Sequence, residues 1–286
     1  MHRLFLLRAY GDFVILLQAL HQSAQKNKYT IIASKHLQPL YEVLELVIDL
    51  KSIQIQFVDF GITHTQLSLF TNKHLLSIDT LTELKQIKKF VQQNPNQSGQ
   101  DYLEQDKRIG LFNSITGLDF NSIVSKEPVY TSYAKFFDIQ DIKEVEVREE
   151  SREDNNSKKV LLFPDTRQAK KNIPTSLISK LEHELSDKGY SFEIAYFKEA
   201  PNSNSTNNTA TKTKEVVYSN FKTLIQLIQE AELILGADSL PIHLAYLLKK
   251  PHYILYPNGY PQLFITPYAQ INNRFGTFDH HHFSFL

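Results

Sequence analysis

The 286-residue chain contains no cysteine, and no apolar run in it is long enough to cross a membrane. Without cysteine it can form no disulfide, no zinc site with thiolate ligands and no cysteine nucleophile. The N-terminal segment is apolar, but Arg8 and Asp12 interrupt it, and its run 13–17 falls far short of the roughly 18 to 20 residues of a spanning helix. We therefore expect a cytoplasmic protein without a signal peptide or membrane anchor.

The chain also lacks an excess of charge and several well-known motifs. Lys and Arg total 31, and Asp and Glu total 31, so the formal net charge is zero. This balance argues against a protein that coats nucleic acid, and any anion site must be local. The sequence has no phosphate-binding P-loop, no Gly-x-Gly-x-x-Gly, no His-Glu-x-x-His and no Gly-x-Ser-x-Gly.

Strand-sized apolar segments alternate with segments of helical spacing. Hydrophobic residues make up 42% of the chain and charged residues 22%, so sizeable cores can form, and the length suits two domains. Strands are predicted at 4–7, 29–33, 53–58, 75–78, 107–112, 160–163, 192–197, 216–217 and 233–235. Helices are predicted at 14–20, 37–46, 81–91, 177–188 and 221–230. This alternation predicts the α/β class with parallel sheets wrapped by helices.

A charged segment without an extended apolar run, 143–159, is interpreted as an interdomain linker. We therefore predict a first domain at 1–142, a second at 160–270 and a tail at 271–286. The tail carries the run His280 to His282, and adjacent histidines near a chain end seldom converge on one metal ion. We interpret this run as surface and predict no metal site.

Residues 233–256 combine a strand, a turn, a helix and a second strand in one stretch. Gly236 ends the first strand, Ser239 can cap the helix, and Pro241 fits the first turn, where a missing N–H costs nothing. The start of such a helix directs unpaired backbone N–H groups and the positive end of the helix dipole toward one point. This βαβ unit therefore predicts an anion site, most often one for phosphate.

Polar residues follow predicted strands at three places, and ligands of open α/β sheets bind at the carboxyl ends of strands. The first place is Gly11 and Asp12, where the carboxylate of Asp12 could act as a general base toward a hydroxyl. The alternative is that Asp12 caps the helix and favours its dipole.

The second place is the segment 163–174, in which Thr166 offers a hydroxyl. Arg167, Lys170 and Lys171 offer charge-assisted hydrogen bonds to phosphate. The alternative is a solvated basic loop, because runs of charge are common on surfaces.

The third place is the helix start itself, with Asp238, Ser239 and His243. Ser239 and His243 are four residues apart, so both can lie on the face of the first turn that points toward a bound anion. His243 could donate to a phosphate or a sugar hydroxyl. The alternative is that His243 packs in the core and Ser239 only caps the helix.

The stretch 237–261 resembles the signature of glycosyltransferase family 9, the heptosyltransferase-like proteins, which usually read Asp-Ser/Thr-Gly-Pro-x-His-Leu-Ala. Gly11-Asp12 resembles the family's N-terminal Gly-Asp, and Lys171-x-x-Pro174 resembles its Lys-x-Trp-Pro. The resemblance implies the GT-B fold, in which two Rossmann-like domains place their parallel sheets across a cleft. It also implies an acceptor mainly on the first domain and a nucleotide-sugar donor mainly on the second.

The resemblance further implies roles for individual residues. Asp12 is the implied base that deprotonates the acceptor hydroxyl for inverting displacement, and Lys171 with Thr166 is implied to hold the donor diphosphate. Asp238, Ser239 and His243 are implied to contact the donor, with helix N–H groups stabilising the departing diphosphate. The chain has no Asp-x-Asp metal motif, which is consistent with a metal-independent mechanism.

The implied substrates are a nucleotide-diphosphate sugar, with an ADP-sugar favoured, and an acceptor in lipopolysaccharide or another cell-envelope glycan. No cofactor is implied, and the acceptor-binding residues are not indicated. A cytoplasmic enzyme that meets a glycan or glycolipid acceptor by peripheral contact with the inner membrane is the corresponding expectation.

Two departures from the family pattern support an alternative. Leu240 stands where the family usually has glycine, and Asp165 adds an acidic group beside the expected diphosphate. The alternative function is a non-catalytic family member that binds a sugar nucleotide or a partner protein. A nucleotide-sugar epimerase or hydrolase, which needs no acceptor, is a third hypothesis.

Overall fold

The computed structural model describes residues 1–7, 9–62, 78–103, 109–123, 127–139, 158–197 and 214–280. The chain forms two compact units, Met1–Lys143 and Glu144–Leu286. Most of the predicted linker, together with Arg8, His281 and His282, lies outside the described residues. Among the described residues, no helix is long and apolar enough to cross a membrane.

The first unit is built around a five-stranded sheet in the order β3-β2-β1-β4-β5, and every neighbouring pair of strands is parallel. Its strands are β1 (His2–Leu6), β2 (Tyr29–Ser34), β3 (Gln54–Val58), β4 (Asp101–Leu103) and β5 (Phe120–Ser122). Its helices are α1 (Tyr10–Gln22), α2 (Gln38–Val47), α3 (Ile78–Gln93), α4 (Ile109–Thr116) and α5 (Val129–Phe136). Burial of β1 in the middle of the sheet explains its continuous apolar run, since helices cover both faces of a parallel sheet.

The prediction of a strand at 107–112 was wrong, because helix α4 occupies most of that segment. The apolar residues there fit either period, and a short apolar run does not distinguish a strand from a helix. Phe112 and Thr116, one helical turn apart, are both buried, and Phe112 packs in the core between α3 and the sheet. The predicted strand at 75–78 falls mostly outside the described residues, and Ile78 begins α3.

The second unit contains a six-stranded sheet in the order β11-β10-β9-β6-β7-β8, again with only parallel neighbours. Its strands are β6 (Lys159–Phe163), β7 (Ser191–Phe197), β8 (Lys214–Tyr218), β9 (Leu233–Ala237), β10 (His252–Tyr256) and β11 (Phe275–Thr277). Its helices are α6 (Thr175–Asp187), α7 (Phe221–Glu230), α8 (Leu240–Leu247) and α9 (Pro267–Ile271). All five residues of β9 and of β10 are buried, as expected for inner parallel strands.

Part of the predicted tail belongs to this second sheet. After α9, Asn273 adopts a positive φ of 52°, and the N–H of Arg274 donates to the carbonyl of Ala269. This hydrogen bond and the left-handed residue end α9 and reverse the direction of the chain. Strand β11 then pairs with β10, and the N–H of Ile254 donates to the carbonyl of Arg274. The unit therefore continues at least to residue 280, the last one described.

A buried histidine ties α9 to the start of β10. His252 is fully buried; its Nδ1 lies 2.9 Å from the carbonyl oxygen of Lys250, and its Nε2 lies 2.6 Å from Oγ1 of Thr266. Because a carbonyl only accepts, Nδ1 must carry the proton, and Nε2 accepts from the hydroxyl of Thr266. Thr266 also caps α9 by accepting from the N–H of Ala269. Burial lowers the pKa of His252 to about 4, so the ring is neutral at physiological pH.

We expect His252 to make the second unit sensitive to acid. The unfolded chain takes up a proton near the ordinary histidine pKa of about 6.5, whereas the folded ring stays neutral down to about 4. Stability is therefore full above about pH 6.5 and falls by about 3 kcal/mol as the pH drops toward 4. Urea unfolding between pH 7 and 4 measures this loss.

The matched control for this prediction is His252→Asn, whose amide can still donate to the Lys250 carbonyl but does not titrate. The difference in unfolding free energy between wild type and variant should shrink as the pH falls. A difference that stays constant from pH 7 to 4 would show that His252 is not held neutral in the folded state.

Candidate functional site

Polar side chains of the second unit gather where three adjacent strands end. Strands β6, β9 and β10 lie side by side. Asp238 directly follows β9, Tyr256 is the last residue of β10, and Lys171 lies in the loop that follows β6. Carboxyl ends of parallel strands are where open α/β sheets bind ligands. This edge is therefore the candidate site.

A buried ion pair lies at its centre. Nζ of Lys171 donates to Oδ2 of Asp238 over 2.8 Å, and the two side chains are only 10% and 3% exposed. Lys171 ends a short 3-10 turn, Ala169–Lys171, and Asp238 directly follows β9. Lys171 is therefore not part of a solvated surface, whereas Lys170 beside it is exposed.

His243 completes this cluster from the first turns of α8. Its Nε2 lies 3.6 Å from Oδ1 of Asp238, and both side chains are 3% exposed. Burial alone would raise the pKa of Asp238, but the interactions with His243 and Lys171 outweigh it, so the pKa lies below its ordinary value. Asp238 is therefore ionised at neutral pH, and it compensates much of the charge of Lys171.

Tyr256, at the end of β10, was not predicted as a site residue. The register pairs Leu255 with Ala237, so the next residues along the two strands are Tyr256 and Asp238. Burial first, and the charge of Asp238 second, raise the pKa of Tyr256 far above its ordinary value, so the phenol keeps its proton. Its hydroxyl is buried without a hydrogen-bond partner in the described part of the chain. Such a group is costly unless a water or ligand satisfies it.

Two aromatic rings after β10 also contact the cluster. Nζ of Lys171 lies 4.9 Å from the ring centre of Tyr260 and 5.6 Å from that of Phe264. The ring of Phe264 in turn lies 6.2 Å from that of His243, centre to centre. These rings belong to a segment with no strand or helix, and nothing in its local sequence indicated that it reaches Lys171.

The start of α8 has the predicted geometry, with one difference in its hydrogen bonds. Ser239 is the N-cap residue and Pro241 lies in the first turn, but the hydroxyl of Ser239 donates to the carbonyl of Ala237 over 3.1 Å and caps no helical N–H. Leu240, half-buried, is the first helical residue. A Cβ at Gly236 would lie 3.2 Å from the side chain of Ile242, so this glycine lets α8 pack closely on β9.

Thr166 organises its own loop. Its backbone N–H donates to Oδ1 of Asn172 over 2.8 Å, and its hydroxyl lies 2.8 Å from the carbonyl of Gln168, to which it donates. Since a hydroxyl has one proton, Thr166 could donate to a ligand only by giving up a loop contact. Asp165, exposed at the surface, accepts from the side-chain amide of Asn172.

Asp12 lies in the first unit, in the first turn of α1, where a carboxylate favours the helix dipole. It is half-buried, and the N-cap residue Ala9 provides no side-chain cap. Gly11 is the second helical residue and does not form a turn before the helix. The structure thus provides a positioned carboxylate at the carboxyl end of β1, the central strand of its sheet.

Within the described ranges, no group of three or more histidine, aspartate or glutamate side chains is arranged to hold a metal ion. The predicted surface run is described only at His280, while His281 and His282 fall in the undescribed C-terminal residues.

The two sheets match those of solved glycosyltransferases. E. coli heptosyltransferase WaaC with ADP-2-deoxy-2-fluoro heptose has a TM-score of 0.56 and 12% identity, covering 97% of this chain and 92% of that chain. The family 9 glycosyl transferase from Veillonella parvula DSM 2008 has a TM-score of 0.59 and 12% identity, covering 96% of this chain and 84% of that chain. E. coli ADP-heptose lps heptosyltransferase II has a TM-score of 0.56 and 13% identity, covering 97% of this chain and 90% of that chain. These likenesses confirm the GT-B fold, with two all-parallel sheets.

The sequence also identifies one family within that fold. The family model of glycosyltransferase family 9 (heptosyltransferase) matches residues 130–282, more than half of the chain. The chain therefore belongs to glycosyltransferase family 9, as its motifs predicted. The matched range contains the cluster around Lys171 and Asp238, whereas Asp12 lies outside it. No curated protein matches the chain in sequence.

Proposed function

We propose that this family 9 member transfers a sugar from a nucleoside-diphosphate donor to an acceptor in lipopolysaccharide or another cell-envelope glycan. Family membership supports a transferase. An ADP-sugar is the favoured donor, because solved structures of the same fold carry ADP or ADP-2-deoxy-2-fluoro heptose. The enzyme acts at the cytoplasmic side of the membrane and touches it peripherally where it meets a glycolipid acceptor.

The observation that carries the proposal is the buried Lys171–Asp238 pair beside the start of α8. An ammonium has three N–H donors, and among the described residues Asp238 is the hydrogen-bond partner of only one. The remaining donors are available for phosphate oxygens, and the N-terminus of α8 adds partial positive charge at the same edge. In a site shielded from water, such fixed charges stabilise a departing diphosphate.

Each of the remaining site residues has a proposed part in donor binding. Asp238, held ionised, accepts hydrogen bonds from donor hydroxyls, and His243 and Ser239 contribute further polar groups at the start of α8. The hydrogen bonds of Thr166 hold the loop that carries Lys171. Thr166 therefore acts on the diphosphate indirectly, by positioning this loop. With Lys171 and the helix start supplying positive charge, the proposed mechanism needs no metal ion.

Asp12 is the proposed general base. Inverting displacement requires a base that takes the proton of the acceptor hydroxyl as its oxygen attacks the anomeric carbon. The carboxylate of Asp12, in the first turn of α1, has the right chemistry. The product of this mechanism has the opposite anomeric configuration to the donor.

A non-catalytic member that binds a sugar nucleotide is the second candidate. Its support is the side chain of Leu240 at the first residue of α8, where the family usually has glycine, and the compensation of Lys171 by Asp238. Both features weaken binding of a diphosphate without abolishing the site.

A donor screen separates the two candidates. Purified protein is incubated with ADP-, UDP- and GDP-sugars, with and without a bacterial lipopolysaccharide core acceptor and with EDTA present, and released nucleoside diphosphate is measured. We expect release from one donor, dependent on acceptor, and NMR of the product should show inversion. Binding without release would favour the non-catalytic candidate, release without acceptor would indicate a hydrolase, and a retained configuration would remove the role of Asp12.

A further inference from the structure

The segment between β10 and α9, residues 257–266, places two aromatic rings against one ammonium group. Tyr260 and Phe264 are half-buried, and both ring centres lie within the roughly 6 Å at which a cation and an aromatic face attract each other. Nζ of Lys170 lies 5.5 Å from the same ring of Tyr260. Tyr260 therefore has contacts with two ammonium groups, one buried and one exposed.

An aromatic face attracts a cation without taking up its N–H donors in strong hydrogen bonds. This distinguishes the two rings from Asp238, which pairs with Lys171 and accepts one of its hydrogen bonds. Two more carboxylates in place of the rings would reverse the local charge and repel an anion. The rings instead contact the ammonium without neutralising it, so its remaining N–H donors stay available to an anion.

We propose that Tyr260 and Phe264 are positioning residues for Lys171. They fix its ammonium beside Asp238 with two N–H donors available for the phosphates of a nucleoside diphosphate. The proposal rests on the donor site described above and goes beyond it, because it assigns residues that touch Lys171 and not the sugar or base. Both rings act through the lysine, so their removal should lower affinity for the diphosphate only while Lys171 is present.

The chain offers matched variants for this test. Tyr260→Phe keeps the ring face, and Tyr260→Leu removes it while keeping an apolar side chain. Tyr190→Leu is the control outside the site, because the ring of Tyr190 lies 5.8 Å from Nζ of Lys158, a similar contact far along the strands at their amino ends. Tyr190 also packs on the core of the second unit, so this control reports the effect of lost stability on binding.

Calorimetric titration with ADP is the first measurement. We expect Tyr260→Leu to weaken ADP binding about fivefold to tenfold. Tyr260→Phe and Tyr190→Leu should each bind within about twofold of wild type. In the Lys171→Met background, Tyr260→Leu should change the affinity no further. A fivefold loss that persists without Lys171 would mean that the ring contacts the nucleotide directly, and it would overturn the proposal.

A second measurement does not depend on nucleotide binding. In protein labelled with 15N at lysine, the ammonium signal lost in Lys171→Met identifies Lys171, and the two ring faces should shift its protons upfield of other lysine ammonium signals. The shift should persist in Tyr260→Phe and diminish in Tyr260→Leu. An unshifted signal in wild type would overturn the proposal. If wild type bound no nucleotide at all, the donor site would fail, and this signal would still decide whether the rings hold Lys171.

Discussion

Replacing Asp12 by asparagine is expected to lower sugar transfer by about 10³-fold while leaving ADP affinity within about twofold. The amide keeps the size of the side chain but cannot take the acceptor proton, so the chemical step fails. ADP binding is assigned to the second unit, whereas Asp12 lies in the first turn of α1. The measurement is turnover with saturating donor and acceptor, together with calorimetric titration of ADP.

The alternative for Asp12, a residue that only favours the helix dipole, predicts a different result. Asp12→Asn would then lose up to about 1 kcal/mol of stability and keep its turnover. Glu42→Gln is a suitable control, because Glu42 is an exposed carboxylate of the same unit on α2 and accepts a hydrogen bond from Gln38. If Asp12→Asn turned over as fast as Glu42→Gln, Asp12 would not be the base.

Replacing Lys171 by methionine should both destabilise the protein and weaken ADP binding at least about tenfold. Removal of one partner leaves Asp238 buried without the ammonium that pairs with it, which costs about 3 kcal/mol in proteins. The remaining contact of Asp238 with Nε2 of His243 is longer, at 3.6 Å. Urea unfolding and calorimetric titration measure the two effects on the same sample.

Two further variants separate stability from binding. Lys171→Met/Asp238→Asn removes both charges, so it should recover most of the lost stability and still bind ADP weakly. Lys170→Met changes an exposed lysine and should alter stability by less than about 0.5 kcal/mol. A double variant that bound ADP like wild type would show that Lys171 does not hold the diphosphate, whatever its part in folding.

Apolar periodicity predicted the long elements well and the short ones poorly. Helix α7 has the predicted bounds 221–230, because its apolar stripe is strongly periodic. Strands β4 and β5, three residues each, include polar residues and offer too few positions to establish a period. Strand β11 has the same length, and only its pairing with β10 gives it an ordered place in the sheet.

The motifs indicated which loops form the site but not how their side chains meet. Asp238 and Lys171 are 67 residues apart, and they meet because β6 and β9 are neighbours in the sheet. The order of strands in the sheet could not be predicted from the sequence. Ser239 has the predicted position, yet its hydroxyl donates to the carbonyl of Ala237, two residues earlier. The preference of serine for N-cap positions does not determine which backbone group its hydroxyl bonds to. Tyr256 and Tyr260 acquire their roles only from the tertiary fold.

The central claim is that the second unit binds a nucleoside diphosphate at the Lys171–Asp238 pair. Its most direct test is calorimetric titration of the wild-type protein with ADP, UDP and GDP. The proposed site predicts saturable one-to-one binding of at least one of them, with ADP favoured, and a loss of affinity when Lys171 is replaced. No binding of any of the three at millimolar concentration would contradict it.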